Sequence, residues 1–536
     1  MRITAIEIEN FKGISERVRV DLKPITLLFG ANSAGKSTIL QALLYMKDVL
    51  DRRNLDAIST PVSGRALDLG GFRSFVHGQD LSRTIRIRVH MELTGGELPI
   101  MAPQQEQPDF LSDAAFRRVG ELLQEQTAVL QSVHSATVGI EVQWDEAEKL
   151  PVASAYTVGL NSAGFVRIKR GIKHVKICDE NNSLLLEDED TAPQHERGLW
   201  VAHVSPRLKG SVSKFEGIRK WLQTPQDPIP DLSLSPREIL NLPEAISEEE
   251  ETLEYNQHDM GYIAKIQAWE ATELLARLII GPGKLLQNWL QGLRYVGPLR
   301  ARPPRKGIPS AELSDWSEGL AAWKTLEDED TSPNLIDEVS QWLVGKDRLN
   351  SGYELERKHL AQVDADAFRN AVEGDLDRAQ LLDLLREAPK STEIKLVETR
   401  SGFRLDPSDV GVGISQVLPI VVGAVAPGGS VLAIEQPELH IHPAMQVALG
   451  DLFIDGATKR GMSFLIETHS EHLILRLMRR IREGSISPTQ IGVVFVEPVQ
   501  GGRRFVELGI DEEGDFIDEW PGGFFEESFR EKFSGR

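Results

Sequence analysis

Gly30-Ala31-Asn32-Ser33-Ala34-Gly35-Lys36-Ser37 is the stretch on which the fold of this chain turns. It fits G-x-x-x-x-G-K-[ST], a phosphate-binding loop, and it has the flanks that such a loop needs. Ile25-Thr26-Leu27-Leu28-Phe29 before it is a short apolar run expected to form a buried strand. Beyond it, Ile39, Leu40, Leu43 and Leu44 share one face of a predicted helix. The glycines let the backbone wrap around phosphates, and backbone N–H groups at a helix start meet the negative charge. Lys36 is placed to reach the β- and γ-phosphates, and Ser37 to ligate Mg²⁺ through its hydroxyl. The expected nucleotide cradle is therefore Gly30 to Thr38.

Three further stretches extend the argument. Val431-Leu432-Ala433-Ile434-Glu435 is an apolar strand ending in a carboxylate, the group that a nucleotide site sets opposite the phosphate loop to hold Mg²⁺ or its water. Gln436-Pro437-Glu438-Leu439-His440-Ile441-His442-Pro443 follows it. His440 and His442 lie two apart and directly before a proline, unlike zinc-peptidase histidines, which sit four apart on a helix. Phe464-Leu465-Ile466-Glu467-Thr468-His469-Ser470 is a second buried strand, with His469 at the end where nucleotide sheets present their chemistry. Asp409-Val410-Gly411-Val412-Gly413-Ile414-Ser415-Gln416 puts glycines and a hydroxyl at a predicted helix start, an anion-binding pattern.

In this order the four stretches resemble the soluble SMC, RecF and OLD-like branch of ABC-type ATPases. The opening Ile6-Glu7-Ile8-Glu9-Asn10-Phe11-Lys12-Gly13 resembles the first strand of that branch, Leu432 to Pro443 its I-E-x-P-E-x-H-L-H-P stretch, and Ile466 to His472 its E-T-H-S-E-H stretch. Tyr295-Val296-Gly297-Pro298-Leu299-Arg300 and Trp520-Pro521-Gly522-Gly523-Phe524-Phe525 are similar to pieces of bacterial AAA-type ATPases that carry a C-terminal domain of unknown function. The resemblance implies roles for the matching residues. Gly413 and Ser415 would contact ATP bound to a second subunit. Glu435 would position magnesium, His469 would be the switch histidine at the γ-phosphate, and His440 to Pro443 would cross the dimer. Lys12 would approach the base or phosphates. One position departs from the pattern: Gln436 stands where such ATPases usually carry the glutamate that activates water. A glutamine can orient a water but cannot take its proton. Glu438 is the nearest replacement carboxylate.

Composition limits the alternatives. The chain has 536 residues, and its 60 Lys+Arg against 81 Asp+Glu give a net charge of −21. Bulk charge therefore opposes nucleic-acid binding, and any DNA contact would need a local basic patch. Three clusters offer one: Arg476, Arg479, Arg480 and Arg482; Arg300, Arg302, Arg305 and Lys306; Lys169, Arg170, Lys173 and Lys176. The single cysteine, Cys178, excludes an intramolecular disulfide framework and suits a reducing cytoplasm. No signal peptide is read at the start, and the apolar run Val417 to Val425 is too short to span a bilayer.

The expected fold is α/β: an ABC-type head made by an N-terminal lobe, 1–204, and a C-terminal lobe, 394–536, around a mainly helical insertion, 205–393. Its expected ligands are ATP and Mg²⁺. The expected activity is slow ATP hydrolysis coupled to homodimerisation. The setting is bacterial DNA maintenance or bacteriophage defence in the cytoplasm, with a separate effector protein. Two other readings weigh against it. OLD proteins carry a nuclease domain after the ATPase head, but the tail after His469 is short and lacks a D-x-D strand end; Asp511, Glu512, Glu513 and Asp515 read as a loop cluster. A nucleotide-gated scaffold with little turnover is the reading that Gln436 favours.

Overall fold

β3 (Ile25–Gly30) is buried at every residue, which is how a strand reads when a parallel sheet is covered on both faces. It lies inside a six-stranded sheet of order β10-β14-β15-β3-β16-β17, made of Leu293–Val296, Val431–Glu435, Ser463–Glu467, β3, Ile491–Val499 and Gly502–Leu508. The first five strands run parallel and β17 closes the edge antiparallel. The computed structural model describes residues 1–58, 67–94, 98, 128, 130–169, 176–179, 182–185, 274, 277–305, 316–328, 333–366, 369, 386, 388 and 390–521.

The N-terminal segment supplies a second, antiparallel sheet. β1 (Arg2–Glu9) pairs with β2 (Val18–Asp21) on one side and β4 (Ile85–Glu92) on the other. The sheet continues through β5 (Ser135–Asp145), β6 (Leu150–Leu160), β7 (Ala163–Lys169), β8 (Lys176–Asp179) and β9 (Asn182–Leu185). Its strands alternate sharply: β4 buries Ile85, Ile87, Val89 and Met91 and turns the residues between them outward. Helix α1 (Ser37–Arg52) lies between the two sheets. It packs Ile39, Leu43, Tyr45 and Met46 into a core shared with Ile6, Ile8 and Ile87 of the antiparallel sheet and with Leu28, Ala433 and Leu465 of the parallel one.

Alternate residues of the parallel strands face the other way. Leu27, Phe29, Ile434, Ile466 and Val493 join a second core. Helix α2 (277–291) precedes β10. The second core is covered by α3 (Leu320–Glu327), α4 (Leu335–Val344), α5 (Val412–Val425), α6 (Pro443–Arg460) and α7 (Glu471–Arg482). The chain thus forms the ABC-type α/β architecture expected from the motifs, with β3 from the N-terminal part inserted between β15 and β16 from the C-terminal part.

The stretch 205–393, expected to be mainly helical, is more mixed where it is described. Leu293–Val296 becomes a strand because it pairs with β14 from Leu293↔Val431 to Val296↔Ile434. Tyr353–Ala361 (β11) and Lys390–Glu398 (β12) form a hairpin-like pair, extended by Arg404–Leu405 (β13). Residues 205–273 and 370–385 of that stretch lie outside the described residues. Arg170, Lys173, Lys306 and residues 522–536 also lie outside them.

Candidate functional site

The phosphate loop leaves β3 through Gly30 at φ 142°. A Cβ there would come within 2.3 Å of the Val496 carbonyl oxygen on β16, so only glycine lets the two strands stay paired up to the loop. Gly35 has φ 98°, and a Cβ on it would press against Arg503 at 3.3 Å. Between them Ala31, Asn32, Ser33 and Ala34 form the turn, with Ser33 in the left-handed region at φ 62°. α1 then begins at Ser37 with no side-chain cap, and the Thr38 and Ile39 N–H groups turn back to the Gly35 and Lys36 carbonyl oxygens at 3.1 and 3.4 Å.

Lys36 is only 2% exposed. Its ammonium donates to the Gly30 and Ala31 carbonyl oxygens at 3.1 and 3.0 Å and lies 3.6 Å from Glu467 Oε1. Burial pushes its pKa down, and the carboxylates of Glu467, Glu438 and Glu435 oppose that shift. Lys12 donates to Gln41 Oε1 at 2.5 Å; burial lowers its pKa too, against the charge of Glu435.

Glu435 and Glu467 end adjacent parallel strands and are direct register partners. Ser37 Oγ donates to Glu467 Oε2 at 2.5 Å. Glu435 accepts from the Tyr295 hydroxyl at 2.7 Å, and its pKa is raised, first by burial and further by the charge of Glu467. This places hydroxyl and carboxylate oxygens together at the mouth of the phosphate loop. Such hard oxygen donors fit Mg²⁺, with Ser37, Glu435 and Glu467 as the residues that would hold it.

The loop after β14 is fastened to the switch strand. Gln436 sits at φ 46° and donates its backbone N–H to the Glu467 carbonyl oxygen at 2.7 Å. Glu438 accepts from the Thr468 hydroxyl at 2.8 Å and from the His469 backbone N–H at 2.7 Å. Its pKa is raised, chiefly by burial. His469 has a lowered pKa, from burial and then from the nearby charge of Lys36, so the neutral imidazole is favoured. His442 caps α6 by accepting from the Ala444 N–H at 3.2 Å, a helix-start task. His440 is exposed at φ 60°, and its carbonyl oxygen is 3.2 Å from where a Cβ on Gly413 would sit.

Ser415 is placed differently from the expectation. It has no exposed surface, and its hydroxyl donates back to the Val412 carbonyl oxygen at 2.8 Å. In this conformation the hydroxyl is turned into the helix and offers nothing to a second subunit. What the start of α5 does present is Gly411 and Val412, both exposed, and the half-buried Gly413.

Four residues of the site lay outside the expected set. Glu467, Tyr295, Arg300 and Arg503 are brought in by tertiary pairing. Arg300 is 4% exposed and donates to the Glu435 and Gln436 carbonyl oxygens at 2.7 and 3.3 Å, while Gln416 clasps its backbone at both ends. Arg503 leans from β17 over the loop towards the Ser33 carbonyl oxygen at 3.4 Å. Tyr295 and Arg300 did carry a signal, the Tyr295-to-Arg300 stretch already noted.

The basic helix is ion-paired within the chain. Arg476 and Arg480 meet Asp451, Arg479 and Arg480 meet Glu483, and Arg482 meets Asp515. Arg305 pairs with Asp409. Among the described residues no helix is long and apolar enough to cross a membrane.

A family model described as an AAA ATPase domain matches residues 1–90. Another, described as "AAA domain, putative AbiEii toxin, Type IV TA system", matches residues 304–476. No curated protein matches the chain. Among solved structures, the SMC head domain from Thermotoga maritima aligns over 95% of this chain and 100% of its own, at 9% identity and a TM-score of 0.35. The Pyrococcus furiosus Smc head with an extended coiled coil, bound to the C-terminal domain of ScpA, aligns over 95% and 96%, at 10% identity and a TM-score of 0.37. The Pyrococcus yayanosii Smc head with a coiled coil and joint aligns over 96% and 98%, at 12% identity and a TM-score of 0.37. Likeness at that level carries no functional argument. Over those two stretches the chain is similar to AAA ATPase domains, and its sheet order and phosphate loop are those of a P-loop nucleotide-binding fold.

Proposed function

We propose that this chain binds ATP with Mg²⁺ at the Gly30–Thr38 loop, hydrolyses it slowly, and uses the bound nucleotide to close a homodimer. The observation that carries this reading is the convergence of Lys36, Ser37, Glu435, Glu438 and His469 at the carboxyl ends of neighbouring parallel strands, where open α/β sheets bind ligands. Lys36 and the backbone of the Gly30–Thr38 loop hold the phosphates. Ser37 and Glu435 hold Mg²⁺, which would neutralise charge on the transferring phosphoryl group. His469, neutral, is placed by Glu438 to hydrogen-bond the terminal phosphate.

Slow turnover follows from the loop after β14. Gln436 has no proton-accepting carboxylate, and both Glu438 oxygens are already engaged by Thr468 and His469. Those two bonds draw on the basicity of both oxygens but leave each a lone pair, so Glu438 is a weakened base whose raised pKa still favours proton uptake.

Dimer closure would bring the start of α5, at Gly411 to Gly413, against the partner's nucleotide. Val412→Arg puts a bulky cation on that exposed surface and is expected to leave ATP binding intact while removing the ATP-dependent dimer seen by light scattering. A dimer that survives in this variant means that α5 is not the closing surface. The wider setting we propose is a cytoplasmic bacterial DNA-maintenance or bacteriophage-defence system with a separate effector. The AAA-type match over 304–476 and the OLD-like motif order support it. Direct DNA binding through α7 is disfavoured by the ion pairs that occupy its arginines.

A nucleotide-gated scaffold is the second reading, and Gln436 favours it. Phosphate release measured beside ATP binding separates the two. Tight binding with no release above background would leave the scaffold, and steady release that is lost in Lys36→Ala would establish the ATPase.

A further inference from the structure

Arg503 reaches the phosphate loop from β17, the edge strand of the parallel sheet, and is half-buried there. Its side chain runs through a slot between two glycines. A Cβ on Gly13 would lie 3.2 Å from its Nε and one on Gly35 3.3 Å, so a side chain at either position would crowd the arginine. The guanidinium donates only to main-chain oxygens, to Gly502 at 3.2 Å and to Ser33 at 3.4 Å, the second longer than an ordinary hydrogen bond. Its Nε is buried and bonds to nothing among the described residues. No carboxylate among them pairs with it, whereas its neighbour Arg504 pairs with Glu497 and all four arginines of α7 meet acids. A cation drawn partly out of water without a counter-charge is under-paired, and an anion would complete it.

The sheet order indicates which part of a nucleotide would supply that anion. Lys36 and Ser37 turn toward Glu467, which with Glu435 and His469 ends β15 and β14 on one side of β3. β16 and β17 lie on the other side of β3. Phosphates laid along the loop with the γ-phosphate at the first side run their α-phosphate and nucleoside toward the second. Thr38 Oγ1 marks the same end: it lies 3.5 Å from the Cβ position on Gly35, beside the arginine.

We propose that Arg503 is a nucleotide-binding residue whose guanidinium pairs with the α-phosphate and closes the nucleoside end of the cradle. The proposal rests on the nucleotide reading of the Gly30–Thr38 loop and adds a contact that the loop motif does not contain. A planar fork of donors suits phosphate oxygens. The α-phosphate is common to ATP and ADP, so the contact holds both alike, unlike Lys36, which reaches the β- and γ-phosphates.

The test is a titration of the full chain with ADP and with a non-hydrolysable ATP analogue, both with Mg²⁺, beside the melting temperature without nucleotide. Arg503→Gln keeps a donor but loses the charge. It should weaken both ligands by the same factor, about tenfold or more, with the ligand-free melting temperature unchanged. Arg503→Lys restores the charge without the fork and should bind both about threefold more weakly than wild type. Equal ADP affinity in wild type and a folded Arg503→Gln protein overturns the contact. A loss confined to the ATP analogue overturns it too, by moving Arg503 to the γ-phosphate. An equal loss in both variants, together with a lower ligand-free melting temperature, would make Arg503 a brace for the loop and not a ligand contact. If the glutamine variant does not fold, Arg503→Lys decides alone, and wild-type ADP affinity in it overturns the contact. A wild-type chain that binds neither ligand overturns the nucleotide reading itself, an outcome distinct from wild-type binding that ignores Arg503.

Discussion

Glu7 and Glu435 are both strand carboxylates drawn out of water, and the molecule treats them in opposite ways. Glu7, in the antiparallel sheet, is flanked across the strands by its register partners Arg19 on β2 and Arg88 on β4. Arg17 approaches it at 2.6 Å and His90 at 3.0 Å. Burial alone would raise its pKa, but His90 and Arg17 overcome burial and hold it down to about 2. Glu435, in the parallel sheet, has its pKa raised instead, first by burial and further by the charge of Glu467, which the Tyr295 hydroxyl and Lys12 do not overcome. The first arrangement is complete and needs no ligand. The second is under-compensated, which suits the cation and nucleotide proposed for it. For these two carboxylates, opposite shifts mark an ion-paired cluster on one side and an unpaired strand end on the other.

The comparison breaks most visibly at Lys36. Lys36→Ala removes the buried cation of the phosphate cradle and should weaken ATP binding by about 10²–10³-fold. Isothermal titration checks it. Unchanged affinity in a folded variant would remove the parallel sheet from nucleotide chemistry altogether.

Glu7→Gln probes the other side. It leaves several cations facing an uncharged amide and should cost about 3 kcal/mol of stability, the size implied by a pKa held from 4.5 down to about 2. ATP affinity should not change. Because the folded pKa is depressed, this stabilisation is complete above pH 4.5 and is lost as pH falls toward 2. In denaturant melts the stability gap between wild type and variant should therefore be narrower at pH 3 than at pH 5. A constant gap at both values would assign the effect to packing.

Gln436→Glu adds the missing base to the under-compensated region. Phosphate release should rise by about tenfold, a part of what general-base catalysis can supply, because Glu438 competes for the same role. Glu438→Gln in the same assay should lower release and leave ATP affinity nearly intact. If neither substitution moves the rate, the scaffold reading gains.

The smallest effect belongs to Glu435→Gln. A carboxylate whose charged form is disfavoured by its surroundings costs stability at neutral pH, so its removal should leave the ligand-free melting temperature unchanged or raise it by up to about 2 °C. The Mg²⁺-dependent gain in melting temperature with ATP should fall. A clear drop in ligand-free stability would show Glu435 to be structural, like Glu7.

How much of this was legible differs by region. The loop from Gly30 to Ser37, its strand and its helix were plain, because local backbone geometry and a contiguous motif encode them. The strands ending at Glu435 and Glu467 were legible as apolar runs with polar ends. Ser415 was legible as part of a glycine–serine pattern, but its rotation into α5 was not, since a hydroxyl can bond a ligand or its own helix equally well. Leu293–Val296 carries no alternation of its own and becomes a strand only through β14.

The sequence by itself determined the phosphate loop, the acidic strand end, the strand-terminal histidine and the absence of the usual base at Gln436, because each is a residue type at a fixed distance along the chain. Only the tertiary structure decided that Glu467 stands beside Glu435 and grips Ser37, that Tyr295 and Arg300 reach the same strand end, and that Arg503 covers the loop. Those relations follow from the strand order β10-β14-β15-β3-β16-β17, which joins segments hundreds of residues apart. Hydrophobic patterning says which residues are buried, but it does not say which buried strand lies next to which.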